Sequence, residues 1–221
     1  MKLLAIDTST EQASIAVSFG DELLHQEQGT QRTHAQLLLP MIDELLAKAN
    51  ISMTQLDGII FGCGPGSFTG LRIACSVAKG LAYAHDLGLI PVSSLATIAW
   101  GAQQQTGQAA SPILAVLDAR MHEMYWAYYP QAHDSAEERV NAVTEITIPN
   151  QQPIVLAGVG IDEYWDGFPD VIKAQVSTRL TVYPNAATMI ELARAKNLPT
   201  IAVADAQPVY VRNQVTYDKN S

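Results

Sequence analysis

Hydrophobic and polar residues alternate in short runs over the first thirty positions of the chain. The runs cover residues 3–7, 13–19 and 22–28, and the polar turn Thr8-Ser9-Thr10-Glu11-Gln12 separates the first two. Runs of this length, bounded by turn residues, are typical of β-strands. The pattern therefore predicts that the chain opens as a three-stranded β-meander.

A helical period replaces the alternation after residue 32. The residues Thr33-His34-Ala35-Gln36 fit a capping box, and apolar residues then recur up to residue 48. Pro40 lies inside this segment and predicts a kink or a restart of the helix. Because the apolar stripe is too wide for one face, we expect part of this helix to contact something other than its own sheet.

Alternation of strands and helices follows. We predict a strand at 56–62, a helix at 71–85 that ends near Gly88, a strand at 89–93 and a helix at 94–105. Small residues recur at intervals of four in the 71–85 helix and allow another helix to approach closely, either within this chain or from a partner. The order of elements predicts an α/β fold with a mixed sheet and helices on its faces.

The second half of the chain repeats this outline with fewer helices. Strands are predicted at 111–118, 124–129, 143–148, 153–157 and 171–176, a helix at 186–196, and an extended tail at 208–213. No sequence repeat accompanies the similarity, so it depends on the pattern of elements alone.

Composition narrows the classes of function. Charged residues make up 16% of the chain and the net charge is −9, with no cluster of Lys and Arg. This charge argues against tight direct binding of nucleic acid, which needs cations to neutralise phosphates. The scarcity of charge indicates a surface covered by another protein, or a compact alanine-rich enzyme.

The cysteines and the apolar runs predict the compartment. Cys63 and Cys75 form no CxxC pair and fit small buried residues in a reducing environment. The N-terminal segment meets an acid too early for a signal peptide, and no run approaches the about 18 apolar residues of a membrane span. We expect a cytoplasmic protein with no membrane association.

A glycine-rich run resembles a phosphate loop but matches neither the Walker A motif nor the dinucleotide-binding fingerprint. It reads Gly62-Cys63-Gly64-Pro65-Gly66-Ser67-Phe68-Thr69-Gly70-Leu71-Arg72. Gly64 and Gly70 are one residue too far apart for a Walker A motif, and Leu71 and Arg72 replace its Lys and Ser or Thr. A tight strand-to-helix connection is the favoured interpretation, with a type II turn at Pro65-Gly66 and Ser67 or Thr69 as the helix cap. The residues assigned to this structural turn are Gly64, Pro65, Gly66 and Gly70.

The candidate catalytic residues are few. Asp7 with the polar turn after it could hold a phosphate or a magnesium-bound water, or could simply satisfy turn amides. Asp118-Ala119-Arg120 occupies the matching place in the second half but lacks the glycine that close approach to a phosphate requires. No two histidines are spaced as a zinc pair, and no Gly-x-Ser-x-Gly motif is present. We therefore predict no catalytic and no metal-binding residue, and a weak nucleotide or anion site formed by Asp7, Thr8, Ser9, Thr10, Gly66 and Ser67.

Four blocks of residues together resemble the TsaB (YeaZ) family over essentially the whole chain. They are Ile6-Asp7-Thr8-Ser9-Thr10, the run from Gly64 to Ile73, the run from Leu117 to Tyr125, and Pro208-Val209-Tyr210-Val211-Arg212-Asn213. The resemblance implies an actin-like ATPase (ASKHA) fold of two ribonuclease-H-like lobes with mixed sheets. Residues 1–106 would form the N-terminal, partner-binding lobe, and residues 107–221 a reduced C-terminal lobe.

The resemblance also implies a function in tRNA modification. Members belong to the machinery that adds a threonylcarbamoyl group to adenosine 37 of tRNAs that read codons beginning with A. The implied role is a non-catalytic scaffold that pairs with the catalytic sister TsaD and the ATPase TsaE, forms a homodimer when alone, and meets tRNA only through the complex. No cofactor is expected to bind tightly, although ATP or ADP is expected at a subunit junction.

A different class of function stays open. An ATP-binding actin-like ATPase or kinase, or a glycoprotease-like peptidase, would act on its own. In the family the pairing surface comes from the first two helices, here 33–48 and 71–85. The residues this assigns to the partner interface are Leu38, Met41, Ile42, Leu45, Ile73, Ala74, Val77, Ala78 and Leu81.

Overall fold

The chain folds around two five-stranded mixed sheets. The computed structural model describes residues 1–29, 34–107, 111–149 and 153–211. The first sheet contains β1 (Leu3–Asp7), β2 (Gln12–Phe19), β3 (Glu22–Gly29), β4 (Gly58–Gly64) and β5 (Gly88–Ser93). The second contains β6 (Ile113–Asp118), β7 (Glu123–Tyr129), β8 (Arg139–Ala142), β9 (Ile154–Val159) and β10 (Val176–Thr181). The helices are α1 (His34–Ala49), α2 (Phe68–His85), α3 (Ser94–Thr106), α4 (Ile161–Tyr164), α5 (Asp170–Lys173) and α6 (Ala186–Ala195).

The first sheet has the strand order β3-β2-β1-β4-β5. Its first three strands are antiparallel, and β1, β4 and β5 are parallel, with Leu3 opposite Ser18 on one side and Gly58 on the other. Strands β1 and β4 are buried along their whole length. Helices α1 and α2 pack on one face and α6 on the other. Coverage of both faces explains why these central strands are continuously apolar.

The second sheet repeats this arrangement in the order β10-β9-β6-β7-β8. Here β6, β7 and β8 are antiparallel, and β6, β9 and β10 are parallel. The helices α4 and α5 are only 4 residues long each, against 16 and 18 residues for α1 and α2. This confirms the predicted α/β fold of two ribonuclease-H-like lobes, the second of them reduced.

The two lobes exchange helices. Leu95 and Ile98 of α3 pack on the second sheet, whereas Met189 and Ile190 of α6 pack on the first. After α6, the chain stays with the first lobe, where Ile201 forms an antiparallel bridge with Leu89. The boundary predicted at residue 106 therefore divides the sequence into two halves that are packed together. Helices α3 and α6 each bury their apolar side on the sheet formed by the other half of the chain.

Two predicted strands in the second half are wrong. Residues 143–145 form a 3-10 turn and the strand precedes it, while residues 170–173 form α5 and the strand begins only at Val176. Val143 and Ile172 are buried single residues that anchor their turns to the second lobe's core. Their β-branched side chains suggested strands because local composition does not distinguish an anchor from a strand.

The helix ends also differ from prediction. Helix α1 continues unbroken through Pro40, so no restart occurs there. The left-handed residue that ends α2 is Asp86, with φ of 53°, and Gly88 instead begins β5. The predicted capping box at 33–36 begins outside the described residues, as does the tail beyond residue 211. None of the helices in the described part of the chain has the length and hydrophobicity needed to cross a membrane.

Candidate functional site

The glycine loop connects β4 to α2 and lies directly on the turn between β1 and β2. Ser67 is the N-cap of α2, since its hydroxyl accepts a hydrogen bond from the Gly70 amide at 3.3 Å. The Ser67 amide donates to the Ser9 carbonyl at 2.7 Å, and the Thr8 hydroxyl donates to the Gly70 carbonyl at 2.7 Å. The amide and hydroxyl groups of Ser67 and the amide and carbonyl groups of Gly70 are therefore bonded within the protein.

The glycines of this loop permit close backbone contacts within the protein. A Cβ on Gly66 would lie 2.5 Å from the Ser9 carbonyl oxygen, and a Cβ on Gly70 would overlap the Thr8 carbonyl oxygen. Gly64 has φ of 118° and Gly66 of 158°. The φ of Gly66 is far from the about +80° of a type II turn, so that predicted turn type is wrong. The prediction of a tight structural connection agrees with these contacts.

Asp7 lies at the end of β1 and is enclosed. One carboxylate oxygen accepts hydrogen bonds from the Ser9 amide at 3.0 Å and the Ser9 hydroxyl at 2.8 Å. The other oxygen is buried without a hydrogen-bond partner, at the place that a Cβ on Gly62 would occupy. Burial raises the pKa of this carboxyl to about 6, although the Ser9 bonds act in the opposite direction. The carboxyl group of Asp7 thus faces β4 and is closed to solvent.

A cleft of about 750 Å³ separates the two lobes. Its first-lobe wall comes from the β1–β2 turn and the start of α2, and its second-lobe wall from the β6–β7 turn, β9 and α4. The lining residues are Ser9, Thr10, Glu11, Gly66, Ser67, Phe68, Thr69, Leu117, Asp118, Ala119, Arg120, Met121, Tyr125, Val159, Gly160, Glu163 and Tyr183. Of the residues predicted to form an anion site, Ser9, Thr10, Gly66 and Ser67 line this cleft, whereas Asp7 and Thr8 lie behind it.

The β6–β7 turn has an unusual backbone. Arg120, Met121 and His122 have φ of 64°, 57° and 61°, a left-handed conformation that favours glycine. Asp118 holds the turn, since one carboxylate oxygen accepts hydrogen bonds from the Arg120 amide at 2.7 Å and the Tyr164 hydroxyl at 3.1 Å. Its other oxygen pairs with the Arg120 guanidinium at 3.0 Å. The Asp118 carboxylate is thus committed to this turn.

An actin-like fold implies a magnesium nucleotide between the lobes, and the residues here do not fit one. The acid at the end of β1 is enclosed, and the loop amide and hydroxyl groups at Ser67 and Thr8 are used internally. The turn of the second lobe carries Ala119 and Arg120 in place of glycine, and carboxylates line the cleft. Separately, no group of three or more His, Cys, Asp and Glu suited to a metal ion occurs among the described residues.

The residues predicted for the partner interface divide into two sets. One set lies on the inner sides of α1 and α2, is buried in the core and cannot reach a partner in this conformation, which corrects its assignment to the partner interface. These residues are Leu38, Met41, Ile42, Leu45, Ala74 and Ala78. Ile73, Val77 and Leu81 are only partly buried on α2, although they too pack against the core of the first lobe. The small residues of this helix therefore serve its packing on the first sheet.

The outer side of α2 carries side chains that sequence reasoning missed. Phe68 and Tyr83 are 56% and 82% exposed. The Arg72 guanidinium lies 3.7 Å above the centre of the Phe68 ring, and its Nε donates to the Tyr210 hydroxyl at 3.1 Å. Phe68 and Arg72 are four residues apart, a spacing that brings side chains together on a helix, so this contact could have been predicted from the sequence. The resulting face is apolar and basic, since α2 contains no acidic residue.

Tyr210 reaches α2 because the chain returns to the first lobe near its end. The Val209 amide donates to the Cys63 carbonyl at 2.7 Å, and Lys79 donates to the Ala206 carbonyl at 3.0 Å. The rings of Phe68 and Tyr210 are 5.5 Å apart. This segment therefore extends the exposed face of α2 toward the cleft.

Comparison with known proteins gives consistent matches. The family model described as "TsaD: tRNA N6-adenosine threonylcarbamoyltransferase" matches residues 21–207. The tRNA threonylcarbamoyladenosine biosynthesis protein TsaB of Haemophilus influenzae is 34% identical, over 99% of this chain and 97% of its own length. The protein of the same name from Escherichia coli K12 is 36% identical, over 99% and 98%. The solved structure of YeaZ from Pseudomonas aeruginosa matches with a TM-score of 0.85 at 34% identity, over 95% of this chain and 99% of that chain.

Proposed function

The chain belongs to the TsaB (YeaZ) family, and on this basis we propose that it is a non-catalytic subunit in the synthesis of threonylcarbamoyladenosine in tRNA. Its partners are the catalytic subunit TsaD and the ATPase TsaE, and it forms a homodimer when they are absent. The complex acts on adenosine 37 of tRNAs that read codons beginning with A, in the cytoplasm.

The enclosed carboxyl group of Asp7 carries the non-catalytic part of the proposal. A nucleotide enzyme of this fold needs an acid that reaches the metal and loops that present amides to phosphate. Here Asp7 is 0% exposed, and the Ser67 amide donates to Ser9. These contacts stabilise the first lobe and leave phosphate chemistry to another subunit. ATP or ADP belongs, in this proposal, at the junction with that subunit.

The outer side of α2 supports the pairing. It combines exposed aromatic rings with the cations Arg72 and Lys79, in a protein whose net charge is −9. Interfaces are enriched in aromatic residues and arginine. A face of this composition fits a partner protein better than it fits solvent. The acidic balance of the remaining chain favours contact with tRNA only through the other subunits.

A charged substitution on α2 tests the pairing. We expect Val77→Asp to reduce co-purification with TsaD at least about tenfold, because burying an unpaired carboxylate in an interface costs on the order of 2 kcal/mol or more. Val171→Asp is the matched control, since Val171 is 52% exposed on α5 in the other lobe. Circular dichroism and thermal unfolding establish that both variants fold.

Two outcomes would contradict the proposal. If Val77→Asp folds and still co-purifies with TsaD as the wild type does, α2 is not the pairing face. Calorimetric titration of the purified chain with Mg-ATP addresses the competing class of function. Micromolar binding accompanied by turnover in the chain alone would establish an ATPase or kinase and remove the scaffold role.

A further inference from the structure

The cleft between the lobes has an apolar residue on each of its two edges. Phe68, at the start of α2, is 56% exposed, and Met121, at the tip of the β6–β7 turn, is 80% exposed. Both line the same cleft, together with Leu117, Tyr125 and Val159. Large apolar side chains on facing edges suit a ligand that carries apolar groups of its own.

The charges of the cleft are mainly negative. Carboxylates of Glu11, Asp118 and Glu163 line it, and among the described residues of its wall Arg120 is the one cation. Arg120 and Asp118 pair with each other and their charges cancel, so the remaining charges of the wall are the carboxylates of Glu11 and Glu163. A nucleotide triphosphate would bring further negative charge to this wall, whereas a cationic group would neutralise it. Charge complementarity therefore selects a basic ligand.

The backbone conformation of the β6–β7 turn holds Met121 at its exposed position. A left-handed conformation is unfavourable for non-glycine residues, and three successive residues adopt it here. The His122 ring packs edge-on against Tyr164 at 6.0 Å, and its carbonyl accepts a hydrogen bond from the Val143 amide. Neighbouring groups thus hold an unfavourable turn in place, a situation that is concentrated at ligand-binding sites.

We propose that the cleft receives a lysine- or arginine-bearing segment of a partner protein. The cationic group of the segment lies among the carboxylates of the cleft, and its apolar neighbours contact Phe68 and Met121. This surface shares Phe68 with the outer side of α2, but its carboxylates and Met121 lie in the cleft, so the inference goes beyond the pairing proposed above. It also assigns the cleft to a protein ligand in place of the nucleotide that the fold implies.

A titration of the full chain tests this inference. The probes are the peptide Ac-Leu-Lys-Leu-Arg-Leu-NH2, its acidic counterpart Ac-Leu-Glu-Leu-Glu-Leu-NH2, and Mg-ATP. The readout is the ¹³C-methyl NMR signal of Met121, identified through Met121→Leu. We expect the basic peptide to shift this signal saturably, and the acidic peptide and Mg-ATP to leave it in place. Higher ionic strength weakens the binding, because the attraction is between accessible charges.

A pair of double variants separates the cleft from the overall charge. Glu11→Gln with Glu163→Gln is expected to weaken binding of the basic peptide by about threefold or more. Glu22→Gln with Glu27→Gln, on the exposed edge strand β3, changes the net charge equally and is expected to leave binding unchanged. An unshifted Met121 signal, equal weakening by both double variants, or a shift caused by Mg-ATP would overturn the inference. In each of these cases Val77→Asp would still be expected to lose co-purification with TsaD. The two proposals can therefore fail independently.

Discussion

The carboxyl group of Asp7 lies where β1 meets the glycine loop, and its surroundings explain two sequence features together. Gly62 has no side chain, and the Asp7 carboxylate occupies the space that a Cβ would fill. Ser9 follows Asp7 by two residues and supplies both hydrogen bonds to the other carboxylate oxygen. The acid and the glycine therefore form one packing unit across neighbouring strands.

The raised pKa of Asp7 predicts how stability depends on pH. Burial raises the pKa from 3.8 in the unfolded chain to about 6 in the folded state. Between these values the folded state holds a proton that the unfolded state has released. The free energy of unfolding therefore falls as pH rises from about 4 to 6, by about 3 kcal/mol from this group, and is level above that range.

Asp7→Asn removes this contribution, since an amide does not titrate and its oxygen accepts the Ser9 bonds. We expect the variant to lose the decline between pH 4 and 6 and to be at least as stable as the wild type at pH 7.5. Urea unfolding at four pH values measures this. Asp21→Asn, on an exposed turn, is the control and should keep the decline. An unchanged decline in Asp7→Asn would assign the pH dependence to other groups.

The start of helix α2 depends on backbone contact at Gly70, and this can be measured within one helix. A Cβ on Gly70 would overlap the Thr8 carbonyl oxygen, whereas a Cβ on Gly80 has no atom within 4 Å. We expect Gly70→Ala to lower the free energy of unfolding by about 2 kcal/mol or more. Gly80→Ala should raise it by roughly 0.5–1 kcal/mol, because alanine is the better helix former.

Chemical unfolding of the two alanine variants decides the point. Opposite signs are the expected result. A Gly70→Ala protein as stable as the wild type would mean that the loop can move away from the β1–β2 turn, and that its groups are available to a ligand.

The elements that sequence predicted well are those with local signals. The opening strands, the glycine connection and the cap at Ser67 follow from alternation and from residue types at fixed offsets. The wide apolar stripe of α1 and the small residues at intervals of four in α2 are also visible in the sequence. Neither pattern shows which side of the helix is core, because Leu38 and Ala74 are buried by strands that lie elsewhere in the chain.

Long-range contacts account for what the sequence could not predict. The Thr8–Gly70 hydrogen bond joins residues 62 positions apart, and Arg72 meets Tyr210 across 138 positions. The exchange of α3 and α6 between the sheets likewise has no local pattern. The sequence predicts that the polar turn and the glycine loop form a site together. It does not predict that they bond to each other, because those bonds join residues far apart in the chain.

At the scale of the whole molecule, the exchanged helices join the two lobes. Helices α3 and α6 contact each other between the sheets, and the Ser14 hydroxyl accepts a hydrogen bond from the Ala186 amide at 3.0 Å. The Tyr183 hydroxyl donates to Glu11 across the cleft at 2.9 Å. The cleft is thus a gap between lobes that are packed through shared helices, and Phe68 and Tyr83 on the outer side of α2 are exposed.

Reconstituted threonylcarbamoyl transfer tests the central claim most directly. The reaction contains TsaD, TsaE, tRNA, ATP and the activated threonylcarbamoyl donor, and mass spectrometry measures the modified adenosine with this chain present, absent or substituted. We predict that product formation requires the chain, survives in folded Asp7→Asn and is lost in folded Val77→Asp. Loss of product in Asp7→Asn with pairing intact, or full product in Val77→Asp, would contradict a non-catalytic subunit that acts through α2.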